Sequence, residues 1–476
     1  MEENMGTEQN EYLVKEQYPV SFGYAALTVL VVIGIVIAGM LLFGAPLELM
    51  FLLSWLAVVP LLMKLGYSYD ALSKMAWKMA TQSFEPNMIL LALGAMIAVW
   101  IASGTIPFII FLGLKLLSAD HFLISVLLVC SFTSMATGTS WGTLGTMGLV
   151  FAGLGQVMGI PAAMTAGAVI SGAYFGDKMA PISDSTILAA SIAGTTVIRH
   201  VRHMMWTTVP SYIISALLFI FLDFQNSGTA ADMEMAQEIS RVLEEMFRFS
   251  GIEAVPILLV FVLLIKGAPS IMTMLLGVLS GSIVAVAANH VPLASLFTYM
   301  IDGYTVNCGN EFVDALLCRG GINSMVSSFL AIFLALTVSG MLDNTGLLQV
   351  LVTPLVKKCE GSTFRLIACT VVLTYVTNAI GSSMLFASIV TGTLLRPYYQ
   401  KQGLAPENLS RTLEDSGTMG AVLIPWNANA IYASQMLGVG ALSFIPYCFL
   451  NWITPCMALF YAKKGICLKV KKRAAD

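Results

Sequence analysis

One short stretch constrains the fold of this chain more than any other: SGAYFGDKMAPISDST, residues 171–186. Across residues 122–198, Asp177, Lys178 and Asp184 are the only Asp, Glu, Lys or Arg residues. A charge at the depth of a bilayer costs at least about 2.5 kcal/mol, so such residues usually face a cavity or a partner and serve a function. The stretch therefore predicts a polar site inside an apolar, membrane-embedded fold.

The composition supports this interpretation. Of 476 residues, 57% are hydrophobic and 11% are charged, whereas a soluble domain has about 25% charged residues. We expect an all-α polytopic membrane protein with about ten to fourteen transmembrane segments. Several apolar runs are short or interrupted, which predicts broken helices and re-entrant hairpins. The net charge of −3 argues against a nucleic-acid partner.

The two hydrophobic halves of the chain share a pattern of polar breaks. TGTS at residues 137–140 and Pro181 in the first half correspond to IGSS at residues 380–383 and Pro425 in the second, at an offset of 243–245 residues. A proline inside a helix removes a hydrogen bond and exposes a carbonyl oxygen. Matching interrupted segments in two halves, usually inverted repeats, indicate a binding site in a transporter.

The same pattern divides the chain into five parts: an N-terminal cytoplasmic tail (1–18), a first transmembrane repeat (19–222), an amphipathic polar linker (223–250), a second transmembrane repeat (251–462) and a basic cytoplasmic tail (463–476). The basic residues after Ala462 predict a cytoplasmic C-terminus. A loop with Lys64, Lys74 and Lys78 is expected on the same side, and two crossings before it put the N-terminus there too.

The charged candidates for the site come from both halves. Ion and proton coupling is expected at four acids, with two basic residues as charge partners: Asp177, Asp184, Glu414, Asp415, Lys178 and Arg411. Na⁺ is expected at Asp177 and Asp184, and no organic cofactor is expected. Arg411 and Asp415 are four residues apart and can pair across one helical turn. The alternative is that Arg411, Glu414 and Asp415 cap a helix at the membrane surface.

Neutral oxygen ligands are expected from small hydroxyl and amide side chains near the breaks. These candidate ligands for an ion or a substrate are Thr139, Ser140, Ser183, Ser185, Thr186, Asn378, Ser382, Asn427 and Asn429. Oxygen atoms suit a hard cation such as Na⁺. The alternative is that the small residues allow close helix packing.

Two further patterns are weaker. GTSWG at residues 138–142 matches the G-x-S-x-G pattern of hydrolases, but no strand–turn–helix context surrounds it. We therefore expect no enzyme and keep an intramembrane hydrolase as a remote alternative. His200 and His203, flanked by Arg199 and Arg202, predict a basic loop at the membrane edge, with a pH sensor as the alternative.

The long motifs resemble one family. GTSWGT, GAYFGDKMAPISDST, RGGINSM and LSRTLEDSGTMGAVLIPWN are similar to those of the NhaC-type Na⁺/H⁺ antiporters, in a superfamily that includes malate/lactate sodium antiporters. The resemblance implies a multi-pass protein of a prokaryotic inner membrane. It also implies exchange of Na⁺ for H⁺, or of carboxylates or amino acids. One departure is Ala180 and Ile187 in APISDSTI, where the family pattern is Ser-Pro-Leu-Ser-Asp-Thr-Thr-Asn. This departure favours an organic substrate slightly.

The predicted function is secondary active transport. Na⁺ and H⁺ would compete for intramembrane carboxylates as the protein alternates its access to the two sides. One alternative is a Na⁺- and H⁺-coupled exchanger of carboxylates (malate/lactate type) or amino acids, in which Arg411 or Arg319 holds the substrate carboxylate. A passive channel and a homodimeric assembly are also left open.

Overall fold

A computed structural model describes residues 20–116, 119–226, 230–247, 249–357 and 361–470. The predicted N-terminal tail, 1–18, lies outside them, as does the end of the basic tail from residue 471. Within the described residues the chain is helical, and an isolated β-bridge joins Leu404 to Val470. The all-α prediction is confirmed.

In the first part of the chain the α-helices are α1 (Phe22–Phe43), α2 (Leu47–Met63), α3 (Tyr69–Ala80), α4 (Phe84–Ala102), α5 (Thr105–Leu116), α6 (Phe122–Thr137), α7 (Ser140–Thr143), α8 (Leu149–Val157), α9 (Ala162–Met179), α10 (Asp184–Ala193), α11 (Val197–Gln225) and α12 (Ala230–Met246). A π-helical turn at Leu144–Gly148 joins α7 to α8. Helix α12 lies in the predicted linker and buries Ile239 and Leu243.

In the second part they are α13 (Val255–Ile265), α14 (Ser270–Asn289), α15 (Leu293–Asp302), α16 (Glu311–Leu317), α17 (Val326–Asn344), α18 (Leu347–Lys357), α19 (Thr363–Gly381), α20 (Met384–Lys401), α21 (Pro406–Leu413), α22 (Met419–Ala421), α23 (Ala428–Leu437), α24 (Ala441–Phe444) and α25 (Phe449–Lys464). A π-helical turn at Glu414–Thr418 joins α21 to α22.

Six helical stretches of the described chain are long and apolar enough to cross a membrane, and a seventh is a pair bent by 88° at residues 428–447. Further apolar helices have 10–17 residues. Large apolar side chains are exposed on these stretches, for example Phe43 (79%) and Phe224 (81%). Such exposed surface suits lipid contact. The total of ten to fourteen crossings stays a prediction.

The residues form two compact units. Unit 1 comprises the described residues within 1–87, 327–431 and 459–476, and unit 2 comprises those within 88–326 and 432–458. Each unit therefore takes segments from both halves of the sequence.

The broken segments of the two halves match at a constant offset of 244 residues. Helices α6 and α19 end at Thr137 and Gly381. Helix α10 covers Asp184–Ala193, and α23 covers Ala428–Leu437, with the same length and the same offset. The offset also relates the first residues of α9 and α21, residues 162 and 406.

The turns that follow α6 and α19 have the same backbone geometry. Gly138 and Ser382 are both left-handed, with φ of 72° and 50°. Thr139 and Ser383 are then extended, at φ −146° and −144°, and each side chain accepts a hydrogen bond from the backbone N–H three residues later. A positive φ is uncommon outside glycine, so its occurrence at Ser382 reflects a required turn. The geometry supports the predicted repeat, and the inverted orientation of its copies stays a prediction.

Two predicted loops are helical instead. The segment with Lys74 and Lys78 forms α3, because Leu72, Ala76 and Met79 on its other face are buried in the protein. The predicted basic loop with Arg199, His200, Arg202 and His203 is the start of α11.

His200 and His203 are buried on one face of α11, while the intervening Arg202 is exposed. The prediction of a loop is therefore wrong, because these residues belong to a helix whose buried face carries both histidines. Their position at the membrane edge stays a prediction.

Candidate functional site

Asp177 in the last turn of α9 is the centre of a buried hydrogen-bonded site. Its side chain is 4% exposed. One carboxylate oxygen, Oδ2, accepts from Ser140 Oγ at 2.7 Å, and the other, Oδ1, accepts from Ser183 Oγ at 2.5 Å. Ser140 begins α7 after the turn at Gly138, and Ser183 precedes α10 after Pro181. Two breaks in the helical structure therefore supply hydroxyl groups to one carboxylate.

Close packing between α6 and α9 holds Asp177 in place. A Cβ added at Gly176 would lie 2.2 Å from the backbone nitrogen of Met135, and one at Gly172 would lie 2.6 Å from the carbonyl oxygen of Leu127. Only glycine allows the two backbones to approach so closely. Gly172 and Gly176 therefore form a Gly-x-x-x-Gly packing motif.

Aromatic residues support the turn before α7. Trp141 and Tyr432 stack with ring centroids 4.0 Å apart, and the Tyr432 hydroxyl donates to the carbonyl oxygen of Trp141 at 2.8 Å. The sequence analysis missed Tyr432, because it lies almost 300 residues away in the chain and no local pattern links it to this turn.

The other predicted ligands near Pro181 make hydrogen bonds that stabilise the non-helical segment between α9 and α10. Ser185 Oγ lies 3.1 Å from Ser183 Oγ, and Thr186 Oγ1 donates to the carbonyl oxygens of Lys178 and Asp177 at 3.0 and 3.3 Å. Thr139 caps α7 by accepting from the backbone N–H of Gly142. These three side chains therefore contact backbone or hydroxyl groups around the carboxylate.

The two acids predicted to act as a pair have different surroundings. Asp184 is exposed at the first position of α10, whereas Asp177 is buried. Lys178 is fully buried and lies close enough to His200 to act on it electrostatically. Ile187, the departure from the family pattern, is 45% exposed.

The second repeat places an amide cluster where the first has hydroxyl groups. Asn427 Nδ2 donates to the Oδ1 of Asn378 at 3.2 Å, and Asn429 Nδ2 donates to the Oδ1 of Asn427 at 3.0 Å. The backbone N–H of Ala428 donates to the carbonyl oxygen of Ser382 at 3.1 Å. The predicted candidates Asn378, Ser382, Asn427 and Asn429 are thus brought together and buried.

The offset of 244 residues shows how the two clusters differ. Asn427 corresponds to Ser183, but Asp177 corresponds to Ala421. The cluster of the second repeat is therefore neutral, with amide and carbonyl oxygens and without a carboxylate at this position.

The charged residues of the second half form a third, fully buried group. Arg411, Glu414 and Asp415 are at most 1% exposed. Arg411 Nε lies 3.9 Å from Asp415 Oδ2, and its Nη1 donates to the carbonyl oxygen of Cys467 at 2.9 Å. The predicted pair across one turn is confirmed. The alternative of surface caps is wrong, because α21 and the π-turn lie inside the protein.

Glu407, also fully buried, was missed. Its spacing of four residues from Arg411 places both on one helix face, so the signal was present in the sequence.

These groups contain the oxygen donors that a hard cation prefers. Among the described residues there is no cluster of three or more His, Cys, Asp or Glu side chains of the kind that holds a transition metal. The Asp177 site lies within unit 2, and the Asn378 and Arg411 groups lie within unit 1, with Cys467.

The chain is similar to several known proteins over most of its length. The model of the Na⁺/H⁺ antiporter family matches residues 20–202 and 172–466. The malate-2H⁺/Na⁺-lactate antiporter of Bacillus subtilis is 34% identical, with 92% of this chain and 94% of that protein covered. The Na⁺/H⁺ antiporter NhaC of Alkalihalophilus pseudofirmus is 36% identical, with 80% and 82% covered.

A more distant relative is archaeal. The arginine/ornithine antiporter ArcD of Halobacterium salinarum is 30% identical, with 94% of this chain and 92% of that protein covered. Together with the apolar helices, these matches make the chain a multi-pass membrane protein. It belongs to the Na⁺/H⁺ antiporter family.

Proposed function

We propose that this protein exchanges Na⁺ for H⁺ across a membrane by alternating access, and that the two ions compete for the Asp177 carboxylate. The observation that carries the proposal is the burial of Asp177 with one serine hydroxyl on each of its oxygens. The family membership supports the choice of ions.

The chemistry follows from the cost of burying a charge. An isolated carboxylate inside a protein is strongly unfavourable, so Asp177 needs either a cation or a proton to neutralise it. A serine hydroxyl can donate to the carboxylate and still offer a lone pair to Na⁺. Ser140 and Ser183 are therefore suited to complete a Na⁺ site that is lost when Asp177 takes up a proton.

The remaining candidates receive supporting roles in this proposal. Asp184, exposed beside the site, attracts Na⁺ towards it. Lys178, which is buried, is the charge partner for Asp184 in the ion-free state. Glu414 and Asp415, both buried and the latter paired with Arg411, provide a second place for a proton. Asn378, Asn427 and Asn429 provide neutral oxygens in the second repeat.

The proposed location is the cytoplasmic membrane of a prokaryote, with both termini in the cytoplasm. The relatives named above come from bacteria and an archaeon. All of them are transporters by name, which supports a function without enzymatic chemistry. Ser140 donates to a carboxylate rather than serving as a hydrolase nucleophile in this proposal.

The test uses purified protein in proteoliposomes that contain a pH-sensitive dye. A Na⁺ gradient is imposed without any organic solute, and proton flux is recorded for the wild type, D177N and D184N. The wild type should move protons, D177N should not, and D184N should need more Na⁺ for the same rate. D184N is the comparison with D177N, because Asp184 is an acid seven residues away in the same polar stretch, but exposed, so that its loss should weaken the flux without abolishing it. Wild-type flux in D177N would refute the proposal.

A further inference from the structure

The C-terminal ends of α20 and α25 adjoin each other within unit 1. The β-bridge joins Leu404, which follows α20, to Val470, which follows α25. The Asn408 side chain at the start of α21 donates to the carbonyl oxygen of Lys469 at 2.7 Å. The C-terminal segment, residues 467–470, is therefore attached through its backbone to the loop after α20 and to α21.

The exposed charges at these helix ends are all basic. Residues 384–431 and 459–470 are fully described and belong to unit 1. Their exposed charged residues, which we call the basic edge, are Arg396, Lys401, Lys463, Lys464 and Lys469. The acidic residues of the same two ranges are Glu407, Glu414 and Asp415, and all three are buried. The surface of this part of the protein is therefore positively charged.

Both helices change from apolar to basic along one exposed face. On α20 the exposed Ile389 is followed two turns later by Arg396, and on α25 the exposed Phe460 is followed one turn later by Lys464. Positions four or seven residues apart share a helix face. In a membrane protein, long basic side chains near helix ends extend from the apolar region towards the lipid headgroups. The pattern therefore places the basic edge at the depth of the headgroups.

The C-terminal segment connects this surface to the protein interior. On its inner side, the carbonyl oxygen of Cys467 accepts from Arg411 Nη1 at 2.9 Å. On its outer side, Lys469 and Val470 are exposed. The backbone of Cys467 is left-handed, with φ of 55°. A residue other than glycine keeps this conformation only where its surroundings enforce it. A contact on the outer side would therefore help to hold the segment in place.

We propose that the basic edge binds the phosphate groups of anionic phospholipids, and that this contact holds the C-terminal segment over the buried Arg411 group. Clusters of lysine and arginine beside a membrane-spanning helix are attracted to anionic headgroups. The net charge decides the choice of lipid, so phosphatidylglycerol should bind and zwitterionic phosphatidylcholine should not. The inference goes beyond the exchange proposed above, because lipid binding needs no transported ion.

The test titrates phosphatidylglycerol or phosphatidylcholine into the full-length protein in detergent micelles. The melting temperature is recorded, together with the rate at which a maleimide alkylates Cys467, measured by mass spectrometry. Cys467 is partly buried, so its alkylation reports release of the C-terminal segment. The exposed Cys318 of unit 2 is the reference thiol in the same molecule.

The test variant is K463Q/K464Q/K469Q. The hydrogen bonds between Lys469 and Asn408 use the backbone of Lys469, so K469Q removes the charge and keeps these contacts. The matched control is K64Q/K74Q/K266Q, which removes three exposed lysines elsewhere in the protein. Both variants lose the same net charge.

Phosphatidylglycerol should raise the melting temperature of the wild type and slow the alkylation of Cys467, and phosphatidylcholine should do neither. The half-effective concentration of phosphatidylglycerol should rise about fivefold for each lysine removed from the basic edge. The control variant should respond like the wild type. Added salt should weaken the response, because it screens exposed charges. Alkylation of Cys318 should not change with lipid.

Equal responses to the two lipids, or equal losses in the two triple variants, would overturn the proposal. Inorganic phosphate at matched ionic strength should have no effect, and a response equal to that with phosphatidylglycerol would refute lipid recognition. Lipid-dependent melting with unchanged alkylation of Cys467 would refute the link to the C-terminal segment. Neither readout uses ion flux, so a failure of the proposed Na⁺/H⁺ exchange would leave this result unaffected.

Discussion

Ser134 and Asn378 lie 244 residues apart, at equivalent positions of the two repeats, and make equivalent hydrogen bonds. Ser134 Oγ donates to the carbonyl oxygen of Ala173 at 2.5 Å, and Asn378 Nδ2 donates to that of Gly417 at 2.9 Å. Ala173 and Gly417 are themselves offset by 244 residues. The same contact is thus kept between corresponding helical segments, although the side chains differ in length and chemistry.

Shortening the side chain of Asn378 should lower the thermal stability of the protein. N378A removes the donor to Gly417 and leaves the amide of Asn427 without one of its acceptors, in a fully buried place. Leaving buried polar groups unsatisfied costs about 1–3 kcal/mol each. We expect a clear drop in the melting temperature of the detergent-solubilised protein. N307A, at an exposed asparagine, should melt like the wild type, and equal melting of both variants would contradict the expectation.

The α6–α9 contact should tolerate no added methyl group at Gly176. G176A would place a Cβ 2.2 Å from the backbone nitrogen of Met135, so the helices must separate. Overpacking of this kind costs about 1–3 kcal/mol. The shift would also move the adjacent Asp177, so both thermal stability and Na⁺-driven proton flux should fall. The control is G34A in α1, where nothing lies within 4 Å of the new Cβ. A stable, active G176A protein would show that this helix contact is not needed.

The two hydroxyl groups on Asp177 should set the apparent affinity for Na⁺. S140A and S183A each remove one hydrogen bond to the carboxylate, worth about 1.5–3 kcal/mol when one partner is charged. We expect each substitution to raise the half-saturating Na⁺ concentration about tenfold or more in the flux assay. S125A removes a hydroxyl that donates to a backbone carbonyl at the exposed start of α6 and should leave this concentration unchanged. Unchanged Na⁺ dependence in both S140A and S183A would argue against a Na⁺ site at Asp177.

The C-terminal segment, residues 467–470, should stabilise the buried group around Arg411. Asn408 exchanges side-chain hydrogen bonds with the backbone of Lys469, and Arg411 donates to Cys467. Truncation after Ile466 removes these partners and leaves donors of a buried cation unsatisfied. We expect lower thermal stability and reduced flux. Truncation after Val470 keeps every one of these contacts and is the matched control. If both truncations behave alike, the contacts with residues 467–470 do not stabilise the Arg411 group.

The end of a helix was predictable from the sequence where it is followed by a residue that terminates helices, such as glycine. The end of α6 at Thr137 is an example, because Gly138 follows it and ends the helix in a left-handed conformation. The start of α11 was not predictable, because its first turns carry Arg199 and Arg202, which are typical of a polar loop. His200 and His203 are buried on the opposite face of this helix, and no local pattern in the sequence predicts that burial.

The same distinction holds for the candidate site. The isolated charges and the paired prolines of the amino-acid sequence by themselves determined that polar residues lie at helix breaks in an apolar, helical fold, and they predict two repeats. Only the tertiary structure decided that Asp177 is buried while Asp184 is exposed, and that Arg411 and Glu407 are buried with the C-terminal segment. The physical reason is that hydrophobic periodicity and turn residues act locally, whereas burial and hydrogen-bond partners depend on which distant segments pack together.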